Sequence, residues 1–328
     1  MKRRNLCLMV LVASALVGGP FDAAQAQEWP TRPIRWIVPQ PPGGTADFIA
    51  RAVAEKVSHR VGQPIIIDNK PGAGGNLGTD LGAKAHPDGY TIVLGTIGPI
   101  AVNSSLYRQL SFDPEHDLVP ITLLADYPCI ILANPAYVEK TKLSLASLSA
   151  YQGTPLSYAS PGVGTSPHLA AELFAMTSGA KLTHVPYKGS AAGLNDVVAG
   201  HVPLMVDALQ PTALSFVRSG RLAAIAVTSA TRTPNLPDVP TVAEAGMPGF
   251  QVTGWMGVLA PRGTPEPIVT RLDKELSAVL AMPEIKALFA EKGAMNIPPT
   301  GREHFRQFIR SETETWRKVV KTANIQAE

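Results

Sequence analysis

Ser166 and His168 are the residues in this 328-residue chain that first invite chemistry, because a serine hydroxyl beside an imidazole is the beginning of an acyl-transfer site. They stand two positions apart at an expected helix start, and the Gly-x-Ser-x-Gly elbow is absent, with Thr165 and Pro167 beside the serine. His168 reads better as a residue that hydrogen-bonds within its own loop, and His184, on an expected strand, as a satisfied core histidine. The seven histidines and the cysteines show no metal-ligand spacing, and Glu303-His304 lacks a second histidine one helical turn away. Catalysis, a metal and a cofactor are therefore not expected.

Glycine-rich junctions offer different chemistry. Residues 39–47 read PQPPGGTAD, between a short apolar run at 34–38 and a long amphipathic one from Phe48. Gly43 and Gly44 carry no Cβ, so a ligand can approach the backbone N–H groups, and the following helix aims its positive end at the same point. An anion would sit well there, although prolines and glycines also simply punctuate turns. Residues 160–168, SPGVGTSPH, repeat the arrangement with a strand before, glycines within and a helix after. Nucleotide sites are not indicated. Residues 70–78, KPGAGGNLG, lack the Gly-Lys-Ser/Thr ending of a phosphate loop, and Gly162-x-Gly164 has Pro167 where the dinucleotide fingerprint needs its third glycine. Gly44 is expected to lie where backbone meets the anion, so a side chain there crowds the site, and strains the loop if φ is positive.

Strands and helices must hold these junctions. Ile49, Val53 and Val57 recur four apart beside Ala50 and Ala54, which predicts a helix with one buried face, stopped by Gly62. Strands are expected at 34–38, 65–67, 91–95, 120–124, 129–133, 156–159, 182–185, 203–207 and 222–228, with 96–103 as an exit loop. Helices are expected at 145–151, 191–199, 212–218, 265–280, 283–292 and 302–321, and one after the second junction burying Leu169, Leu173 and Met176. Trp255, between Gly254 and Gly257, reads as cleft lining or core. This alternation, closed by a helical return, predicts α/β layers in two lobes, 27–125 with 250–328, and 126–249.

Lys2, Arg3 and Arg4 precede an apolar run at 6–17, and Ala24-Gln25-Ala26 follows, which predicts a secretory leader cleaved near Ala26 and a periplasmic mature protein. The run is well short of the ~20 residues of a spanning helix. Cys7 leaves with the leader. Cys129, followed by Ile130, Ile131 and Leu132, reads as a buried thiol without a disulfide partner. With 45% apolar and 17% charged residues the composition is that of folded domains. The formal charge of +3 nearly vanishes once the basic leader is removed, and no basic cluster remains, so nucleic acid is not expected as a partner.

Several stretches occur together in one order: PPGGTADFIAR at 41–51, NKPGAGGNLG at 69–78, PDGYT at 87–91, YASPGVGTSPHLAAELF at 158–174, HVPYKGS at 184–190, PDVPTVAEAG at 237–246 and APRGTPEPIV at 260–269. Over 29–325 the chain resembles the tripartite tricarboxylate transporter substrate-binding proteins, the Bug family. The resemblance implies a two-lobed periplasmic-binding-protein-like α/β fold (type II) whose cleft closes on a small mono-, di- or tricarboxylate or aromatic acid. It also implies a monomer that presents the ligand to membrane transporter subunits. The family's binding loops fall on Pro42, Gly43, Gly44, Thr45 and Asp47, on Gly164, Thr165 and Ser166, and around Tyr187 and Asp207; Thr96, leaving its strand, joins the set. Gln40 stands where the family usually has an aromatic residue, and Ala208 where an asparagine is common. No arginine lies in either glycine loop, and Lys188 is the nearby cation of the matched motifs. The carboxylate is therefore expected on backbone N–H groups and the hydroxyls of Thr45, Thr165 and Ser166. The alternatives are a binding protein that serves a sensor or stands alone, and, from a different class, a secreted hydrolase.

Overall fold

The run Ile34–Val38 is buried at every position but Arg35 and forms the first strand, β1, of the computed structural model, which describes residues 29–293 and 296–323. The expected leader, 1–26, lies outside the described residues. The remaining strands are β2 (Ile65–Asn69), β3 (Thr91–Thr96), β4 (Leu118–Ala133), β5 (Leu156–Ser160), β6 (Leu182–Pro186), β7 (Leu204–Ala208), β8 (Ala223–Val227) and β9 (Thr253–Pro261). Between them run α1 (Thr45–Val61), α2 (Asn76–Ala83), α3 (Asn103–Leu106), α4 (Pro135–Thr141), α5 (Leu145–Ser149), α6 (Ser166–Ser178), α7 (Ser190–Ala199) and α8 (Pro211–Arg218). Three helices follow β9: α9 (Glu266–Leu280), α10 (Pro283–Gly293) and α11 (Arg302–Ala323). Among the described residues no helix is long and apolar enough to cross a membrane.

The sheet runs β2-β1-β3-β9-β4-β7-β5-β6, with β8 also paired to β4. β1 is parallel to β2 and β3, and β5 is parallel to β6 and β7, so each half is built from strand–helix–strand units. Two antiparallel strands join the halves. β4 pairs with β9 as far as Pro128 and then, from Cys129, with β7, with β8 taking its other edge from Ile130. Thr228 ties this crossing together: its hydroxyl oxygen accepts from the Cys129 N–H at 2.8 Å and its hydroxyl donates to the Val252 carbonyl at 2.6 Å. The two-lobed α/β architecture is thus organised around a pair of crossing strands.

Apolar side chains segregate accordingly. Trp36, Ile49, Val53, Leu272 and Phe289 pack in the first half, and Ile130, Leu194, Met205 and Leu214 in the second. A third cluster runs beneath both, from Ile97 through Tyr158 and Phe174 to Trp255 and Phe305. Each fully buried Leu, Ile or Phe contributes about 1.5–3 kcal/mol, so these clusters fix where the junctions point.

Several expectations are corrected. Residues 120–124 and 129–133 belong to one strand, because Pro120 sits at a register shift and Pro128 at the change of partner, places where a missing N–H is tolerated. β9 went unrecognised because glycines interrupt its apolar pattern; a Cβ on Gly257 would strike the Phe305 ring, so the glycine lets α11 lie on the sheet. The exit loop expected at 96–103 is instead largely helical: a π-helical turn, Gly98–Val102, runs into α3. α1 starts at Thr45, not Phe48. Met176 is exposed, and α6 buries Leu169, Ala170, Ala171 and Phe174 instead. Trp255 is core: fully buried, it donates from Nε1 to Glu312 Oε2 at 2.9 Å, an acceptor shared with Trp316. Cys129 is a buried free thiol, as expected.

Candidate functional site

The parallel strands β1 and β5 end at Val38 and Ser160, and each hands the chain to a glycine loop and then to a helix. Ligands of open α/β folds bind outside such carboxyl ends. The two loops face one cavity, lined also by Thr96 at the end of β3, Gly98 just after it, Tyr127 of β4, Asp207 of β7, Met256 of β9 and the start of α7. Its volume is about 100 Å3. One water needs roughly 10–15 Å3 on that measure, so the space suits a small organic solute.

Three helices begin at this cavity. Thr45 opens α1, Ser166 opens α6 and Ser190 opens α7, and all three line it. Their cap residues, Gly44, Thr165 and Gly189, supply no side-chain cap to the first turn. The opening N–H groups of a helix have no partner within it, and they carry the positive end of its dipole. Converging from both halves, they form an environment for negative charge. The Thr45 hydroxyl adds to it: the residue is 6% exposed, lines the cavity, and its Oγ1 has no hydrogen-bond partner. Among the described residues no arginine lines the cavity, and Lys188 is the cation there.

The loop geometry explains the glycines. Gly43 (φ +80°) and Gly164 (φ +74°) are left-handed, whereas Gly44 lies at φ −91° in extended backbone. The expected strain therefore belongs to Gly43; at Gly44 a Cβ would meet nothing closer than the Pro41 carbonyl oxygen at 3.8 Å. Asp47 braces this loop from below. Its Oδ2 accepts from the Gly43 N–H at 3.0 Å, and Arg51 Nε donates to both its oxygens. Burial opposes its ionisation, but hydrogen bonds from Arg51, Gly43 and Asn69 outweigh burial and hold the carboxyl below its ordinary range.

Asp207 is the acid of the cavity wall. Fully buried, it accepts at Oδ1 from the Ser190 hydroxyl and the Ala208 N–H, both at 2.8 Å, and at Oδ2 from Gln210 Nε2 at 3.2 Å. Burial pushes its pKa up to about 6 against the pull of those donors. Beneath the second loop, His168 and His184 stack at 4.1 Å, and burial lowers them to about 3 and about 4, so both are neutral near pH 7. His168 Nδ1 accepts from the Gly164 N–H at 3.2 Å, and His184 Nε2 bonds the Ser160 hydroxyl at 2.6 Å. Ser166 Oγ instead lies 3.5 Å from the Tyr127 hydroxyl, so the serine and His168 form no nucleophile–base pair.

Of the residues singled out from sequence, Pro42, Gly43, Gly44, Thr45, Thr96, Gly164, Thr165, Ser166 and Asp207 line the cavity. Asp47 and Tyr187 do not: the first supports the loop, and the second donates its hydroxyl to Asp196 Oδ2 at 2.7 Å. Gln40 and Ala208, the two departures, also line it. Sequence reading missed Tyr127, Met256 and Ser190. The Gly189-Ser190 pair before an apolar run was the available signal for a third helix start; nothing local marks a strand residue such as Tyr127 as cleft lining.

Residues 49–325 match the family model described as the tripartite tricarboxylate transporter family receptor. BugT of Bordetella pertussis is 35% identical over 98% of this chain and 97% of its own length. An R. palustris protein solved with adipate is 37% identical, with a TM-score of 0.85 over 91% of this chain and 99% of that one. Rhodopseudomonas palustris MatC, solved with bound malate, is 33% identical, with a TM-score of 0.82 over 89% and 99% of the two chains.

Proposed function

This chain belongs to the tripartite tricarboxylate transporter receptor family, which includes the Bug proteins and whose members are solute-binding proteins rather than enzymes, and from that premise we propose that its cavity captures a small carboxylate. The observation that carries the reading is the convergence of three uncapped helix starts and the unpartnered Thr45 hydroxyl on one cavity. The two relatives solved with adipate and malate support the ligand class. Mono-, di- and tricarboxylates and aromatic acids fall within it.

Capture rests on backbone N–H groups and on the hydroxyls of Thr45, Thr165 and Ser166, with Gly43, Gly44 and Gly164 shaping the loops. Each charge-assisted hydrogen bond contributes about 1.5–3 kcal/mol, so four supply roughly 6–12 before the costs of ordering. Micromolar affinity, about −8 kcal/mol, is in that range. The lobes, 27–125 with 250–328, and 126–249, close over the ligand, and the loaded periplasmic protein delivers it to membrane transporter subunits as a monomer.

Mass spectrometry of the small molecules released from gently purified protein tests the assignment. A carboxylic acid present in near-stoichiometric amount is expected. Recovery of an uncharged sugar or a peptide in its place would overturn it.

A further inference from the structure

The second glycine loop rests on three stacked rings. Tyr158 of β5 and His184 of β6 are register partners on adjacent parallel strands, and their rings stack at 5.0 Å. His168, in the first turn of α6, stacks on His184 in turn at 4.1 Å, with the same 23° between planes. The strand, loop, helix and returning strand thus build the support for their own loop. Tyr158, Ser160 and His168 are buried and His184 is half-buried, and neither imidazole lines the ligand cavity.

Each imidazole ties the loop at a different point. His184 Nε2 bonds the Ser160 hydroxyl at 2.6 Å, and Ser160 Oγ accepts from the Gly162 N–H at 3.1 Å. His168 Nδ1 accepts directly from the Gly164 N–H at 3.2 Å. A backbone N–H can only donate, so the neutral His168 ring carries its proton on Nε2. That nitrogen lies 4.0 Å from Glu172 Oε1, which accepts from the Tyr158 hydroxyl at 2.6 Å. Stacking alone does not call for histidine. A phenyl ring would fill the space without the cost of burying ring nitrogens, so the bonds to the loop are what the two imidazoles add.

We propose that His168 and His184 are positioning residues of the carboxylate site, fixing the backbone of residues 160–164 so that Thr165 and Ser166 are presented to the cavity. The inference rests on the anion-capture reading of that cavity. Gly164 is where the effect concentrates. It is left-handed at φ +74°, its N–H is held by His168, and its carbonyl oxygen abuts Gly98 of the other half. Glycine has no side chain of its own to hold such a conformation, and the imidazole acceptor supplies the hold from outside the cavity. A loop held in this way meets the ligand already arranged, whereas a released loop must be ordered by the ligand at the expense of affinity.

The test begins with ligand-free parent protein near pH 7. Long-range 15N spectra should show His168 bare at Nδ1 and protonated at Nε2; the opposite tautomer would overturn the proposal, and this measurement needs no variant. His168→Phe keeps a stacking ring and removes the acceptor. Its Gly164 amide should exchange with deuterium about tenfold faster or more, while the amides of β5 and β6 keep the parent's rates. Calorimetric affinity for malate and adipate should fall about tenfold or more. His168→Asn, whose Oδ1 stands as many bonds from the backbone as Nδ1, should restore most of both. Ser160→Ala, which cuts the link from His184, should speed exchange at Gly162 in the same way, and an unchanged rate there would overturn the part given to His184. A phenylalanine variant that protects Gly164 and binds like the parent, or an asparagine variant no better than the phenylalanine one, would reduce His168 to packing and overturn the proposal. If the parent binds neither acid, those ligands fail, while the tautomer and the exchange rates still decide whether the histidines hold the loop.

Discussion

Gly98 and Gly164 meet backbone to backbone across the cleft: a Cβ placed on Gly98 would fall 2.5 Å from the Gly164 carbonyl oxygen. Gly74 stands in the same relation to the Val163 carbonyl oxygen, also at 2.5 Å. Segments from the two halves therefore approach as closely as glycine permits. Gly98→Ala should hold them apart, lower carboxylate affinity about tenfold or more, and leave a larger radius of gyration in saturating ligand. A variant that binds and compacts like its parent would show that the contact plays no part in closure.

Gly43 and Gly44 separate loop strain from site crowding. Gly43→Ala places a side chain in left-handed backbone and should cost about 1–2 kcal/mol of stability, read as a lower melting temperature. Gly44→Val meets no such strain and should melt near the parent while binding ligand poorly. The reverse pattern would contradict the loop geometry.

Thr45→Val should act with opposite signs on stability and on binding. The Oγ1 it removes is buried and unpartnered, so the ligand-free protein should lose nothing or gain slightly. Ligand affinity should fall about tenfold, the loss of one charge-assisted hydrogen bond of roughly 1.5 kcal/mol. Equal calorimetric affinities for variant and parent would remove this hydroxyl from the site.

Asp207 predicts a pH dependence. Its folded pKa of about 6 lies above the ordinary 3.8, so its contribution to stability is fully present below about pH 4 and is lost as pH rises through 6. The pH span corresponds to about 3 kcal/mol. A bound carboxylate repels the ionised form, so affinity should rise as pH falls from 7 to 5.5, and Asp207→Asn should flatten that profile. His168 and His184 act in the opposite sense on stability: with pKa values below the ordinary 6.5, their contribution is present above pH 6.5 and lost as pH falls through 4 and 3. An unchanged pH profile in Asp207→Asn would exclude the acid from the anion's surroundings.

Much of this site was legible because its elements are local. A strand, a glycine loop and a helix start are contiguous in sequence, and their chemistry follows from backbone geometry that Gly43, Gly164 and the apolar spacing of Ile49 and Val53 announce. Residues that reach the cavity through tertiary placement were not legible in this way. Tyr127 lines the cavity because β4 crosses between the halves, and Met256 because β9 is inserted between β3 and β4. Tyr187 shows the converse, a motif residue whose hydroxyl turns away to Asp196. The single strand β4 was hidden by prolines that its register shifts and change of partner accommodate.

Replacing a carboxylate by its neutral isostere tests the central claim most directly. Calorimetric titration of a panel of short dicarboxylates, each beside its diamide, should find at least one acid of micromolar affinity whose diamide binds at least a hundredfold more weakly. At a hundredfold excess over Kd the acid should add about 2.7 kcal/mol to stability, a melting shift of a few degrees that the diamide fails to produce. A diamide that binds as tightly as its acid would contradict anion capture by the three helix starts.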